Sequence, residues 1–343
     1  MLMALVGVAF PCANIVTAEG ELATSDAQEA LIRSEGGAVV VDYRVEYDGD
    51  AGDFGWIIAV PGELIDVDDG QEAVFEELRE LSQPRVQYEW AGDSGSGSGP
   101  ICGCGGMAKG GDNALRGGDD TGSLIEQVAE GFTGTYSWVA VQSEDSEALQ
   151  EWLSTEGFEL LEGNAIDEYV AEEATFVLVS LGESGGDTPP EGRVLPPLSL
   201  SYTGSMAFPA RMAQGSMAEE MSTRLYVLGD QAATMSGWSY RDLEWLEASE
   251  APAVAWQEAM REHGVEQAYA RVFVGAHEGQ VLTRFETVAP VSVHTADPVV
   301  ALDGGDTTFQ AWISVWGEPG DSGAAWLLLL PLAGIGWSLR RRD

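Results

Sequence analysis

Residues 324–339 read Ala-Ala-Trp-Leu-Leu-Leu-Leu-Pro-Leu-Ala-Gly-Ile-Gly-Trp-Ser-Leu, without a single charge, and Arg340, Arg341 and Arg342 follow at once. Such a stretch is more stable in lipid than in water. As a helix it reaches about 24 Å, a little short of the roughly 30 Å hydrocarbon slab. Gly323 on one side and snorkelling arginine stems on the other close that gap. Trp326 and Trp337 bracket the run as interfacial aromatics do, and an arginine cluster belongs on the cytoplasmic side. The expectation is a C-terminal transmembrane helix, a membrane anchor made by Trp326, Trp337, Arg340, Arg341 and Arg342, with the body outside the cytoplasm. A hydrophobic helix of the globule is the competing reading, but it would show polar residues on one side.

The other end points to export as well. Met1 to Phe10 is an apolar run of the kind found in the core of a secretion signal, with no positive charge before it. Residues 1–11 therefore read as a signal-peptide-like, truncated segment. Cleavage after Ala9 would satisfy the small-residue rule through Gly7, whereas Pro11 before Cys12 speaks against a lipoprotein site. The tail 317–343 resembles bacterial sorting tails, in which a short motif, a span and an arginine cluster are recognised by a processing protease. Gly317-Glu-Pro-Gly320 is similar to the Pro-Glu-Pro type and the glycine-rich stretch to the Gly-Gly type. That resemblance implies a C-terminal sorting protease as a partner.

Between these ends lies an acidic globule. The chain carries 57 acidic and 16 basic residues, a formal charge of −41, and Lys109 is its single lysine. Nucleic acid is excluded as a partner, because a polyanion needs a basic footprint to release its counterions. A lysine-poor acidic surface suits solubility in high salt, and a surface that collects divalent cations is the alternative. A hydrophobic content of 45% is enough to build a packed core.

Ala38 to Tyr47 alternates, with Val41, Tyr43, Val45 and Tyr47 on one face and Asp42, Arg44 and Glu46 on the other, which predicts a half-buried strand. Phe54 to Val60 reads as a central strand stopped by Pro61. A helix over Gln71–Ser82 turns Val74, Phe75 and Leu78 to one face, with Asp69 as its N-cap and Glu72 at capping-box spacing. Residues 91–122 form a long Gly-rich loop. Further strands are expected at Tyr136–Val141, Thr175–Leu181, Leu198–Tyr202, Met206–Met212, Arg224–Leu228, Gln280–Thr287 and Thr308–Val315. Helices are expected at Asp145–Glu156, which ends in a Gly157-Phe158 Schellman turn, at Ala165–Val170, and at Ala253–His263, with Pro252 at its first turn and Gly264 past its end. The fold class is α+β, with antiparallel or mixed sheets, a few packed helices and the C-terminal transmembrane helix. Residues 12–182 form an N-terminal α+β part, 183–197 a linker, and 198–316 a more β-rich part.

Several segments together resemble one bacterial family of secreted proteins, domain of unknown function 2330. They are Val41 to Pro61, Phe75 to Arg85, Tyr136 to Val141 with Leu149 to Leu153, Gly157-Phe158, Tyr169-Val170, Phe176 to Val179, Pro196 to Tyr202, and Leu225 to Gly229. The resemblance covers roughly residues 12 to 290 and implies export, with no activity attached. It also places Cys102-Gly-Cys104 where similar members carry cysteines.

Motifs with chemistry are sparse. Cys12, Cys102 and Cys104 could form a disulfide, but which two pair is open. A tetrahedral zinc site wants four ligands, and only Cys12 and the scattered His263, His277 and His294 could join the Cys-Gly-Cys pair. Gly-Asp-Ser-Gly occurs at 92–95 and 320–323 without the partner motifs of a serine protease. Asp66-Val-Asp-Asp-Gly70 has the flavour of a calcium loop, yet Gly70 stands where a ligand is needed; Asp48, Asp50 and Asp53 make a weaker cluster. Trp56, Trp138 and Trp152 lie on apolar faces and are expected in the core. No catalytic residue and no cofactor is expected. The leading reading is an exported, membrane-tethered, non-catalytic binding or envelope-structural module. The alternatives are an extracytoplasmic hydrolase using dispersed acids such as Asp42 or Glu46, and a calcium-stabilised surface protein.

Overall fold

A computed structural model describes residues 14–16, 27–45, 55–83, 85–90, 124–156, 158, 165–181, 195–215, 220–243, 245–248, 268–277, 279–304 and 312–317. The first strands are β1 (Asn14–Val16), β2 (Ala27–Glu35), β3 (Ala38–Val45), β4 (Gly55–Val60) and β5 (Leu64–Asp69), followed by helix α1 (Glu72–Leu81). Next come β6 (Arg85–Trp90), β7 (Ile125–Phe132), β8 (Tyr136–Ser143), α2 (Ser146–Thr155), α3 (Ile166–Ala171), β9 (Thr175–Leu181) and β10 (Leu198–Tyr202). The remainder is β11 (Glu220–Gly229), β12 (Ala233–Ser236), β13 (Ser239–Asp242), β14 (Trp245–Ala248), β15 (Ala268–His277), β16 (Gln280–Pro290), β17 (Val299–Leu302) and β18 (Trp312–Gly317).

Most of these strands join two sheets. One has eight strands in the order β13-β15-β16-β11-β2-β3-β10-β5, and the other has five in the order β1-β4-β9-β8-β7. The larger sheet is mixed, because β2 and β11 run parallel while β2 and β3 run antiparallel. It takes strands from both sides of residues 183–197, so the two parts of the chain share one sheet.

Alternation along the strands assigns each face. Val41, Tyr43 and Val45 of β3 meet Trp56, Ile58 and Val60 of β4, together with Tyr136, Val177, Leu225 and Phe285, in a core between the two sheets. Tyr43 packs edge-on against Trp56 at 5.9 Å. On the outer face of the five-stranded sheet, Ile57, Ala59, Phe176 and Leu178 pack against Leu149 and Leu153 of α2 and Ile166, Tyr169 and Val170 of α3. The outer face of the eight-stranded sheet places Leu31, Tyr226 and Leu282 against Phe75 and Leu78 of α1. The layers therefore run helix, sheet, sheet, helices. Buried on both sides, β4 is the central strand its apolar run predicts.

The α+β expectation holds as a sheet-rich fold with few helices. Helix α2 buries Leu149 and Leu153, and Asp145 caps it by accepting from the Ala148 N–H at 3.0 Å. Its far end closes with the Phe158 N–H on the Leu153 carbonyl at 2.8 Å, the six-to-one bond of a Schellman turn.

Other expectations need correction. Asp69 does not cap α1: the N-cap is Gln71, which makes no side-chain cap bond, and Asp69 accepts from the Thr133 hydroxyl at 2.5 Å. Asp66 to Asp69 belong to strand β5, so they are spread along an extended chain instead of being gathered on a tight loop. The expected strand Met206–Met212 contains only an isolated bridge at Ala207, followed by a 3-10 turn over Ala210–Gly215. Pro209 lacks the N–H that a ladder would use there. Among the described residues no helix is long and apolar enough to cross a membrane. The expected span 324–339, the helix Ala253–His263 and the loop 91–122 lie outside the described residues.

Pro61-Gly62 turns β4 into β5 and ties the two sheets together. The Gly62 carbonyl accepts from Thr175 Oγ1 of β9 at 2.9 Å, and the Thr203 N–H donates to the Glu63 carbonyl at 2.9 Å. A Cβ on Gly62 would lie 1.8 Å from the Thr203 carbonyl oxygen and 2.9 Å from its carbonyl carbon, backbone atoms that a rotamer change cannot move aside. Gly62→Ala is therefore expected to cost at least roughly 1–3 kcal/mol through backbone displacement. A fall in the thermal midpoint with an unchanged circular dichroism spectrum would show it, and an unchanged midpoint would contradict the close approach.

Candidate functional site

Helix α3 is short, and its ending builds one wall of a pocket. The Ala174 N–H bonds to the Tyr169 carbonyl at 3.0 Å across Glu173, which sits at φ +57. A non-glycine residue in that region costs about 1 kcal/mol, and here it aims the chain into β9. Tyr169 and Glu172 are left facing Ala59 and Pro61 at the end of β4, and Asp297 comes from the segment before β17. The resulting cavity holds about 80 Å3.

Arg211, from the 3-10 turn, organises this pocket. Its guanidinium grips Glu172 with both terminal nitrogens, Nη1 to Oε1 at 2.9 Å and Nη2 to Oε2 at 2.5 Å. Nη2 also donates to Asp297 Oδ2 at 3.0 Å, while the Arg211 backbone N–H donates to Oδ1 at 2.9 Å. The Tyr169 hydroxyl donates to the same Oδ1 at 3.0 Å, and the guanidinium carbon lies 4.4 Å from the Tyr169 ring centroid. Burial pushes the Asp297 carboxyl up, against the pull of Arg211. A raised carboxyl in a cleft is a feature of acid–base chemistry. Here, however, each oxygen of both carboxylates already accepts a hydrogen bond, so a proton acceptor would first have to leave Arg211.

A second charged cluster lies under α1, on the outer face of the eight-stranded sheet. Strand register sets Arg44, Glu29, Arg224 and Glu286 side by side across β3, β2, β11 and β16. Alternating charge in one row lets each member pair with its neighbours. Glu29 accepts from Arg44 at 3.0 Å, from Arg224 at 2.7 Å and from Arg79 of α1 at 2.5 Å. Glu286 accepts from Arg224 at 2.7 Å and from Arg284. Helix α1 spans the row, with Glu72 on Arg44 at 2.6 Å and the Ser82 carbonyl on Arg284 at 2.8 Å. The side of β3 that alternation assigns to solvent is thus buried, with Asp42 at 7% and Arg44 at 6% exposure.

The residues singled out in the sequence do not converge on either cluster. Asp42, the proposed hydrolase acid, is ion-paired with Arg33. Trp56 and Trp138 are buried in the core between the sheets, and Trp152 is partly buried against α2's cluster. His294 is fully buried, its ring 4.7 Å from that of Trp238, and neither ring nitrogen has a hydrogen-bond partner. Among the described residues no group of three or more His, Cys, Asp or Glu could hold a metal ion. Cys12, Cys102, Cys104, Glu46, Asp48, Asp50, Asp53, His263, both Gly-Asp-Ser-Gly strings, Trp326, Trp337, Arg340, Arg341 and Arg342 lie outside the described residues. Missed by sequence reasoning were Tyr169, Glu172, Arg211 and Asp297, and the charged row. One signal for the row was present: Arg44, Arg224 and Arg284 sit inside β-patterned segments of a chain with only 16 basic residues.

No curated protein matches the chain. Among solved structures, the crystal structure of baculovirus P35 aligns with 60% of this chain at 10% identity and a TM-score of 0.29. The alignment spans 64% of that chain, less than two thirds of its length, and a likeness of that size carries no argument. A family model described as "Uncharacterized protein conserved in bacteria" (DUF2330) matches residues 6–299, across both sheets and both charged clusters, and the chain belongs to that family.

Proposed function

We propose that the chain is an exported, membrane-tethered module with a non-catalytic role in binding or in envelope structure. The observation that carries the non-catalytic half is the Asp297 pocket. The four oxygens of its Glu172 and Asp297 carboxylates all accept hydrogen bonds from Arg211 or Tyr169, so neither carboxylate is free to act on a substrate. Its carboxylates serve to lock α3, the 3-10 turn and the segment before β17 together through Arg211.

Sequence supports the address. The uncharged run 324–339 and its arginine cap favour a lipid span with the acidic body outside the cytoplasm, in the periplasm or at the cell surface. The partners of this reading are the membrane and a sorting protease acting near 317–323, and nucleic acid is not among them. Fractionation of cells, followed by protease shaving of intact cells or spheroplasts, tests it. The chain should sediment with membranes and lose its body to external protease. Full-length protein recovered intact among soluble cytosolic proteins would overturn the reading.

The hydrolase alternative has one observation in its favour, the raised Asp297 carboxyl beside Glu172. Substrate turnover that Asp297→Asn abolishes while leaving the fold intact would favour it.

A further inference from the structure

We propose that the charged row beneath α1 is a binding site for a small monovalent anion such as chloride, held by the Tyr226 hydroxyl and the Arg224 Nε–H. Donors outnumber acceptors in this row. Four guanidinium groups, those of Arg44, Arg79, Arg224 and Arg284, meet the carboxylates of Glu29, Glu286 and the half-exposed Glu72. Every oxygen of the two buried carboxylates is already engaged. Glu29 Oε1 accepts from Arg79 and Arg224, and its Oε2 from Arg44 and Arg79. Glu286 gives one oxygen to Arg224 and the other to Arg284.

Two donors are left over in the same place. Tyr226 is fully buried, lies two residues from Arg224 on the same face of β11 and pairs in register with Arg284. Its hydroxyl has no hydrogen-bond partner, and neither does the buried Nε of Arg224. An unmet buried donor is costly, so two in one site call for an acceptor. A water molecule would accept from both but bring two protons of its own to a place where the carboxylate oxygens are taken. An anion brings none, and the adjacent guanidinium groups attract it in a low-dielectric setting.

Charge on the rest of the molecule sharpens the case. At −41 overall the chain repels anions from most of its surface, whereas this row gathers four of its 16 basic residues. The Arg224 side chain is 25% exposed, which gives an ion a path to and from solvent.

The test uses the full chain in non-ionic detergent, melted in sodium chloride and in sodium gluconate at equal ionic strength. Chloride at about 1 M should raise the midpoint by about 3–5 °C more than gluconate, as mass action predicts for a site with millimolar affinity. The NMR line of chloride should broaden with protein and narrow again when bromide competes. Tyr226→Phe keeps the ring and its packing but removes the hydroxyl, and it should at least halve the chloride-specific shift. Equal melting in both salts, the result expected if water fills the site, would overturn the proposal. So would a chloride-specific shift that Tyr226→Phe leaves untouched.

Discussion

Glu29→Ala is expected to lower the free energy of unfolding by about 3–5 kcal/mol, the loss that follows from breaking a buried ion-pair network. Glu29 is 5% exposed and receives hydrogen bonds from Arg44, Arg79 and Arg224, which come from β3, α1 and β11. Removing its carboxylate takes four hydrogen bonds from three guanidinium groups that face one another. The cost is thus chiefly that of uncompensated buried charge, not of one lost hydrogen bond. Glu35→Ala is the matched control. Glu35 also pairs with an arginine, Arg33, but its side chain is 61% exposed, and solvent-screened pairs contribute about 0–1 kcal/mol. Urea titrations followed by tryptophan fluorescence would separate the two. A Glu29→Ala midpoint close to that of Glu35→Ala would mean that the row is not the buried anchor of α1.

Acid is expected to unfold the protein through two neighbouring windows. Burial holds the His294 imidazole down at about 4, against an ordinary value of 6.5. Because the unfolded chain takes up that proton more readily, the stability contributed by neutral His294 is complete above pH 6.5 and is lost as pH falls from 6.5 through 4. Burial works to raise the Glu286 carboxyl, but Arg224 and Arg284 outweigh it and hold the group at about 2, below its ordinary 4.5. Its contribution is present above pH 4.5 and disappears as pH falls from 4.5 through 2. A displacement of this size corresponds to about 3 kcal/mol in each window.

Titration of the many surface acids will partly mask the His294 window, since neutralising them relieves self-repulsion. The variant isolates it. His294→Phe keeps an aromatic ring against Trp238 and removes both unpartnered nitrogens, so its stability should stay flatter between pH 6.5 and 4 while the decline below 4.5 persists. Parallel curves for the two proteins above pH 4.5 would refute the role given to His294.

Local pattern made part of this architecture legible. Strands β4, β8, β9 and β10 and helices α1 and α2 all fall where period-two or helical spacing of apolar residues puts them, because each buries a face set by its own sequence. Strand β2 shows where that reasoning stops. Ala27 to Glu35 is rich in residues that favour helices, yet it lies extended because β3 and β11 pair with it on both sides. Tertiary pairing decided its conformation, and local preference did not.

From the chain alone followed its acidity, its sheet-rich class, its family resemblance and the apolar faces of its strands, since these depend on composition and on neighbours a few residues apart. The sites depended on distance along the chain. Arg211 reaches Asp297 across 86 residues, and Arg224 reaches Glu29 across 195. Ion pairs leave no periodic trace in a sequence, because a partner can come from any strand that the sheet places alongside. Only the strand order, which sets β2 between β3 and β11, brings Glu29 between Arg44 and Arg224, and α1 laid across them adds Arg79 and buries charge on a face that alternation had assigned to water.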